Sequence, residues 1–395
     1  MKLVIVAVLV TAIAFLGSRL SFVRLRLPLG IENLFLTGTE YVLVGLLLGG
    51  TALNLLDRPT LQGLYPFMGL GLSWIGMLFG IQWEFRRLTH IPKQVFRISL
   101  LQAIVTMAVV VVPFYFLFQK LFAYETGIVL IGAITLAAAA SDTAQSGLAL
   151  AARNAPSASR PLMRLLQNVS NLDGLVGVIT FGIVSCVAIQ NGETPAYLWV
   201  GASLGLGLTV GLLTVALTAY RLEGEEMLLV VIGAVVFGGG LALYLNLSPL
   251  LVNLIAGMVV ANLAGGRAKA GIQNVLLRGE RSIYILFLIL VGAGWEIGSI
   301  WIAALLPAYL IARTFGKILG GYLSAQLFLP QPGPLKQIGL GLLSHGGMAV
   351  AIVVNLHQIH RSELTDAVIS VVLLGMLVSE LIGPTLVRRL LEKTP

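Results

Sequence analysis

The chain has 395 residues, of which 57% are hydrophobic and only 11% are charged, with a net charge of +8. A soluble domain carries about 25% charged residues, so this composition excludes an ordinary globular protein and indicates helices that cross a lipid bilayer. The basic residues lie on short turns rather than in runs interleaved with aromatic residues, which argues against a nucleic-acid partner.

Apolar runs of nearly membrane-spanning length follow one another along the chain. Only helices and closed barrels satisfy their backbone groups in lipid, and these runs lack the alternation of barrel strands. We therefore predict an all-α polytopic membrane protein with about 13 transmembrane helices. The predicted spans are residues 3–17, 34–55, 63–84, 96–118, 127–151, 167–190, 197–219, 227–245, 248–264, 283–303, 304–327, 337–357 and 366–387.

Positive charge is distributed unevenly over the connections between these spans. The odd-numbered connections and the C-terminal tail hold most of the Lys and Arg residues, whereas the other side holds only Lys2, Arg58, Lys120 and Arg361. Because cytoplasmic loops are rich in basic residues, we predict an N-terminus outside and a C-terminus in the cytoplasm, in the inner (plasma) membrane. A basic turn with Arg19 follows the first span, so that span is expected to be retained rather than cleaved.

A short internal match predicts inverted repeats. The third span ends with Trp83-Glu84 in a Gly-x-x-Trp-Glu run, and the tenth contains the same run at Trp295-Glu296. The offset of seven spans is odd, so the two copies run in opposite directions across the bilayer. We predict a single transmembrane domain over residues 1–395, with a first inverted six-helix repeat at 1–190, a linker helix at 197–219 and a second repeat at 227–388.

The same offset pairs two polar runs that are candidates for helix interruptions. One is Ser141-Asp142-Thr143 in the fifth span, and the other is Ser344-His345-Gly346-Gly347 in the twelfth. Both place polar residues or Gly where apolar side chains are expected, and Gly weakens a helix by about 1 kcal/mol. In inverted-repeat transporters the substrate site lies at mid-membrane between interrupted helices. We therefore predict that two broken helices cross there.

Two carboxylates lie in spans near these runs, where an ionisable group costs about 3 kcal/mol and is rarely kept without a function. Asp173 follows the polar residues Asn168, Ser170 and Asn171 in the sixth span. We predict that Asp173 binds a monovalent metal cation, Na⁺ or K⁺, and a proton in turn, because both compete for the same oxygens. An interfacial or helix-capping residue is the alternative reading.

Asp142 has two possible roles that the sequence leaves open. It either ligates the same cation or stabilises the end of a broken helix in the manner of a cap. Thr143 offers a neutral oxygen nearby, and it equally suits a role in holding two helices together.

Arg313 and Lys317 lie inside the eleventh span, four residues apart and therefore on one helix face. They need counter-charges. We expect Arg313 to face the core, with Lys317 either sharing that environment or snorkelling to the surface. His345 is a possible pH sensor or proton relay, because imidazole titrates near neutral pH, and alternatively a packing residue. Glu380, late in the last span, is expected to pair locally.

In these residues the chain resembles the sodium/hydrogen exchanger superfamily of monovalent cation:proton antiporters. Three positions depart from the family pattern: Leu172 stands where the family has Asn or a second Asp, Thr143 replaces a Pro, and Asn168 replaces a Glu. The residues that carry the resemblance are Gly80 to Glu84, Ser141-Asp142-Thr143, Asn171-Leu172-Asp173-Gly174, Arg313 to Lys317 and Ser344-His345-Gly346-Gly347.

The resemblance implies a homodimer in the lipid bilayer and no enzymatic activity. Outer helices would hold a moving core of spans 4–6 and 11–13 that carries the ion by an elevator-like displacement. The resemblance implies no cofactor beyond the transported Na⁺ or K⁺ and H⁺, and the residues leave the choice between Na⁺ and K⁺ open. Leu172 removes a second ionisable group, which predicts electroneutral one-for-one exchange unless Arg313 or Lys317 also titrates.

Two other functions are weighed against antiport. In a sodium-coupled symporter of an organic anion, Asp142 and the second polar run would hold Na⁺, and Arg313 would meet the carboxylate of the substrate. A sensor that transports nothing, or a channel-like protein, is the third possibility.

Overall fold

Helices account for nearly all of the described chain. The computed structural model describes residues 2–20, 38–145, 147–149, 160–188, 195–220, 222, 224–296, 301–329 and 333–393. Its helices are α1 (Lys2–Leu20), α2 (Glu40–Leu48), α3 (Arg58–Gly80), α4 (Phe85–Leu88), α5 (Lys93–Leu121), α6 (Thr126–Ser141), α7 (Arg160–Ala188), α8 (Ala196–Thr218), α9 (Glu225–Tyr244), α10 (Pro249–Leu263), α11 (Gly266–Ala293), α12 (Ile302–Phe328), a 3₁₀ helix (Gly333–Leu342), α13 (Gly347–Ile359) and α14 (Glu363–Lys393).

Each predicted span overlaps at least one of these helices, which confirms the all-α polytopic fold class. Within the described residues, eight helices are long and apolar enough to cross a membrane, and α6, α10 and α13 are shorter apolar helices. The first part of the predicted second span, residues 34–37, lies outside the described residues.

The predicted bounds of the tenth span differ from those of the helix in the structure. It was predicted over residues 283–303, but α11 begins at Gly266 and ends at Ala293. The first half of α11 is amphipathic, because Ile272 and Leu276 are buried one turn apart while charged residues occupy its other faces. A hydropathy window averages these charges with the apolar face and therefore starts the span too late.

The chain divides into two compact units. The first contains α1 to α4 and α8 to α11, and the second contains α5, α6, most of α7, α12, the 3₁₀ helix, α13 and α14. The second unit thus consists of predicted spans 4–6 and 11–13. This is the set that the resemblance implied for the core.

Glycine contacts bring helices of the first unit together at backbone distance. A Cβ atom at Gly76 or Gly80 of α3 would overlap the carbonyl oxygen of Leu250 or Leu254 of α10, respectively. Moving four residues along α3 thus moves four residues along α10, so the two helices run parallel. Predicted spans three and nine are both odd-numbered, and the parallel packing agrees with that numbering.

In the second unit, α5 and α12 pack in the opposite sense. A Cβ atom at Gly316 would lie 3.0 Å from the Cα atom of Thr106, and one at Gly320 would lie 3.1 Å from the Cα atom of Gln102. The two helices are therefore antiparallel, as predicted spans four and eleven must be. Small residues allow such close approach between helices in lipid.

We expect Gly80→Ala to destabilise the first unit because its methyl group has no room against the backbone of α10. Overpacking of this kind lowers the free energy of unfolding by about 1–3 kcal/mol. Thermal unfolding of the detergent-solubilised protein measures the effect. Gly240→Ala is the matched control, because among the described residues no atom beyond its own stretch of helix lies within 4 Å of a Cβ at Gly240. Equal melting temperatures for the two variants would contradict the packing account.

Candidate functional site

The helix in predicted span five is interrupted at Ser141-Asp142-Thr143. The last residues of α6 are small and fully buried, and the helix ends at Ser141. The Ser141 hydroxyl donates to the Ala138 carbonyl at 2.8 Å, a local bond that competes with the helical backbone. Asp142 then adopts an extended conformation with φ −65° and ψ 142°. The polar run therefore marks the position at which the helix stops.

The second interruption lies between the 3₁₀ helix, which ends at Leu342, and α13, which begins at Gly347. Gly346 is extended there, with φ −98° and ψ 168°. The Ala144 N–H donates to the Ser344 carbonyl at 3.1 Å, so the two extended segments are joined by a main-chain hydrogen bond. A Cβ at position 346 would lie 2.5 Å from Asp142 Oδ2, which explains the need for Gly at this crossing.

Asp142 supports the second interruption. Its Oδ2 atom accepts a hydrogen bond of 3.3 Å from the Ala349 N–H, in the first turn of α13. A carboxylate is stabilising at the N-terminus of a helix, where unpaired N–H groups carry partial positive charge. In this geometry Asp142 caps the start of the opposite broken helix. Of the two roles predicted for Asp142, this contact belongs to the helix-end support.

Arg313 donates hydrogen bonds to backbone carbonyls at both interruptions. Its Nε donates to Ala140 at 3.2 Å and its Nη1 to Leu343 at 2.7 Å. Its Nη2 donates to the carbonyls of Asp142 at 3.0 Å and Ser344 at 3.2 Å. At least four of its five N–H groups are therefore used, all on carbonyls left over where helices end.

Asp173 lies in the middle of α7 and forms a buried ion pair with Lys317 of α12. The Lys317 Nζ atom lies 3.0 Å from Asp173 Oδ2, and neither side chain is exposed. The Thr143 hydroxyl donates to the same oxygen at 2.6 Å. Asp173 Oδ1 is also buried but accepts no hydrogen bond from the described residues. One oxygen of this carboxylate is thus saturated, and the other remains available to a ligand.

The Lys317 ammonium is held by the first interruption as well as by Asp173. It donates to the Ser141 carbonyl at 2.5 Å and to Thr143 Oγ1 at 2.8 Å. An ammonium has three N–H donors, and these three contacts use all of them. Of the two positions predicted for Lys317, the structure has the buried one. The side chain does not snorkel.

The remaining predicted ligands surround the crossing less closely. Ser170 donates to the Thr143 carbonyl at 2.8 Å, and Asn171 bonds to Gln145 just after the first interruption. Asn168 is half-buried on α7, five residues before Asp173. The oxygens near Asp173 are hard carboxylate, hydroxyl and carbonyl donors, which suit an alkali cation as a transported substrate. No group of three or more His, Cys, Asp or Glu residues suited to a metal occurs among the described residues.

His345 is fully buried beside the second interruption. Its Nε2 atom lies 3.1 Å from the Ala139 carbonyl oxygen and 3.2 Å from the Tyr309 hydroxyl. A carbonyl can only accept, so Nε2 carries a hydrogen atom. A proton on Nδ1 as well would be buried without an acceptor among the described residues, and the ring is therefore assigned as neutral. The pH-sensing role stays a prediction, and the contacts are those of a residue that packs the crossing.

No family model and no curated protein matches the chain. Among solved structures, the structure of this chain is similar to the structure of the sodium proton antiporter MjNhaP1 from Methanocaldococcus jannaschii, with 15% sequence identity and a TM-score of 0.71. The similarity covers 100% of this chain and 99% of that chain. This chain has the fold of that antiporter. The resemblance read from the sequence motifs is therefore confirmed in its fold.

Two features of the site where the interrupted helices cross were not predicted from the sequence. The first is Tyr309, which contacts His345 and lies four residues before Arg313 on the same helix face. That spacing was the signal that could have revealed it. The second is the partner choice of the two basic residues, since Arg313 binds carbonyls and Lys317 binds the acid.

We expect Arg313→Lys to destabilise the crossing although it keeps the positive charge. Lysine has three donors at one atom and cannot reproduce the planar fork that reaches carbonyls of both interruptions. Leaving buried carbonyls without donors costs about 1–3 kcal/mol each, so a loss of about 2–4 kcal/mol in the free energy of unfolding is expected. Thermal unfolding in detergent measures this, with Arg388→Lys on an exposed face of α14 as the control. Equal stability of the two variants would refute the role of the fork.

Proposed function

We propose that the chain is a secondary active transporter that exchanges a monovalent cation, Na⁺ or K⁺, for H⁺ by alternating access, with Asp173 binding the cation and the proton in turn. The observation that carries the proposal is the buried Asp173–Lys317 ion pair beside two crossed helix interruptions. The fold shared with a sodium proton antiporter supports the same function.

Competition at one carboxylate would couple the two fluxes. The Lys317 ammonium occupies Asp173 Oδ2, where it acts as an internal cation. A second positive charge within a few ångströms is strongly repelled in a low-dielectric interior. Binding of Na⁺ or K⁺ to Asp173 therefore favours loss of one proton from the pair, and return of that proton favours release of the cation. In this scheme one proton leaves for each cation that enters.

The charge count at the pair favours electroneutral exchange. With the proton bound, the Asp173–Lys317 pair sums to zero, whether the proton lies on the carboxyl group beside a neutral amine or on the amine beside an ionised carboxylate. With the cation bound and the proton gone, the carboxylate and the cation again sum to zero. Leu172 is buried beside Asp173 and adds no ionisable group. The moving core would then carry the same charge in both directions.

The contacts of Arg313 argue against the organic-anion symporter. That function needs a guanidinium able to receive a carboxylate of the substrate. Arg313 instead donates at least four N–H groups to the carbonyls of the two interruptions. Binding an anion there would release these carbonyls from their donor, at a cost of about 1–3 kcal/mol each.

The remaining parts of the proposal concern assembly and location. We propose a homodimer in the inner membrane, with the N-terminus outside and the C-terminus in the cytoplasm, as the distribution of basic residues predicts. The second compact unit would move as the ion-carrying core, because it contains Asp173, Lys317 and both interruptions. The first unit would serve as the scaffold.

Replacing Asp173 by Asn should reduce exchange to background, because the amide keeps the size of the side chain but can neither bind a proton nor attract a cation. The protein is reconstituted in liposomes, and dissipation of a pH gradient is measured with Na⁺, K⁺ and Li⁺ in turn. Asp366→Asn, at the half-exposed start of α14, is the matched control and should retain exchange. Robust cation-driven proton movement in Asp173→Asn would refute the assignment.

The electroneutral scheme predicts that the exchange rate of the unmodified protein does not change when a membrane potential is imposed on the same liposomes. One cation for one proton moves no net charge, so the potential does no work on the cycle. The measurement compares initial rates at zero and at imposed negative and positive potentials. A strong dependence on potential would exclude one-for-one exchange.

A further inference from the structure

Gln102 on α5 carries a buried amide oxygen that lacks a hydrogen-bond donor among the described residues. The amide nitrogen Nε2 donates to Thr106 Oγ1 at 3.1 Å, and the Thr106 hydroxyl donates to the Gln102 main-chain carbonyl at 2.9 Å. The hydroxyl hydrogen is thereby used, so Thr106 Oγ1 can only accept, and turning the amide over would not give Oε1 a donor there. A buried polar atom left in this way calls for an explanation, such as a ligand or a functional role.

Gln102 lies against the stretch of α12 that carries Lys317. A Cβ at Gly320 would lie 3.1 Å from the Gln102 Cα, and one at Gly316 would lie 3.3 Å from Thr106 Cγ2. Lys317 is three residues before Gly320 and therefore shares a helix face with it. The amide of Gln102 reaches along α5 to Thr106, which packs beside Gly316, the residue that precedes Lys317. The amide thus lies at the level of Lys317, within the second unit.

The present partners of Lys317 suit an ammonium and do not suit a neutral amine. All three are acceptors: the Ser141 carbonyl, Thr143 Oγ1 and Asp173 Oδ2. In the proposed exchange the ion pair gives one proton to water when a cation binds, and Lys317 is left with two N–H groups and one lone pair. The lone pair needs a donor. None of the three partners can supply one, because the hydroxyl hydrogen of Thr143 is already donated to Asp173.

We propose that the Gln102 amide receives the neutral Lys317 amine when a cation displaces it from Asp173, so that Gln102 is a positioning residue for the cation-bound state. This inference rests on the proposed exchange and deepens it. An amide offers both groups that a neutral amine needs. Oε1 accepts an N–H of the amine, and the second N–H of Nε2 donates to its lone pair while Thr106 keeps the first. The flexible four-carbon stem of lysine allows this movement.

Gln102→Leu should weaken the apparent affinity for Na⁺ or K⁺ by about tenfold, because it removes two hydrogen bonds that are made only in the cation-bound state. Titration calorimetry of the full chain in detergent measures this affinity at constant ionic strength. Asn253→Leu is the matched control. Asn253 is also fully buried with an amide oxygen that lacks a donor among the described residues, but it lies on α10 in the first unit. This control should bind the cation as the unmodified protein does.

A double-mutant cycle with Lys317 separates this role from simple packing. Lys317→Met removes the amine and keeps Asp173, so the cation meets no internal competitor and Gln102 has no amine to receive. Adding Gln102→Leu to Lys317→Met should therefore leave the cation affinity unchanged. A residue that only packs against α12 would weaken binding equally with and without Lys317, and that result would overturn the inference.

Weaker binding by Gln102→Leu that occurs only when Lys317 is present supports the inference. Unchanged binding by Gln102→Leu overturns it and leaves the proposed function intact. An unmodified protein that neither binds nor exchanges Na⁺ or K⁺ overturns both. If Gln102→Leu does not fold, Gln102→Met takes its place with the same expected results, because the unbranched methionine side chain fills the site without an amide.

Discussion

The crossing of two interrupted helices is the constraint on which the second unit depends. Each interruption leaves carbonyl and N–H groups without helical partners in an interior that excludes water. Arg313 supplies donors to the carbonyls, and Asp142 supplies an acceptor to the start of α13. Gly346 allows the two chains to meet. Without these residues the buried backbone groups at the interruptions would lack partners, at a cost of about 1–3 kcal/mol each.

The ion pair of Asp173 and Lys317 depends on that crossing. The ammonium is held by the Ser141 carbonyl and the Thr143 hydroxyl, both of which face it only because α6 stops where it does. In a continuous helix, that carbonyl would accept a hydrogen bond from a backbone N–H of the next turn and would not be available to Lys317. The interruption therefore creates the polar cradle that keeps two opposite charges buried together. Asp173 Oδ1 accepts no hydrogen bond from the described residues, and it is the oxygen at which the proposed cation would bind.

The sequence predicted features that depend on local polarity. Residues 141–143 and 344–347 stand out as polar or Gly-rich within apolar spans, and Asp173 stands out as an acid in one. Contacts between segments that are distant along the chain could not be predicted from the sequence. Spacing places Arg313 and Lys317 on one face, but only the structure shows that one binds carbonyls and the other binds Asp173. The start of α11 was missed because its buried Ile272 and Leu276 lie in a helical half that also carries several charged residues.

In the proposed exchange, a cation and a proton compete for Asp173 and its partner Lys317. Titration calorimetry of the solubilised protein in buffers of different ionisation enthalpy counts the protons that are released when Na⁺ or K⁺ binds. About one proton should leave for each bound cation, and Asp173→Asn should abolish both the binding and the release. Cation binding without any proton release would contradict it.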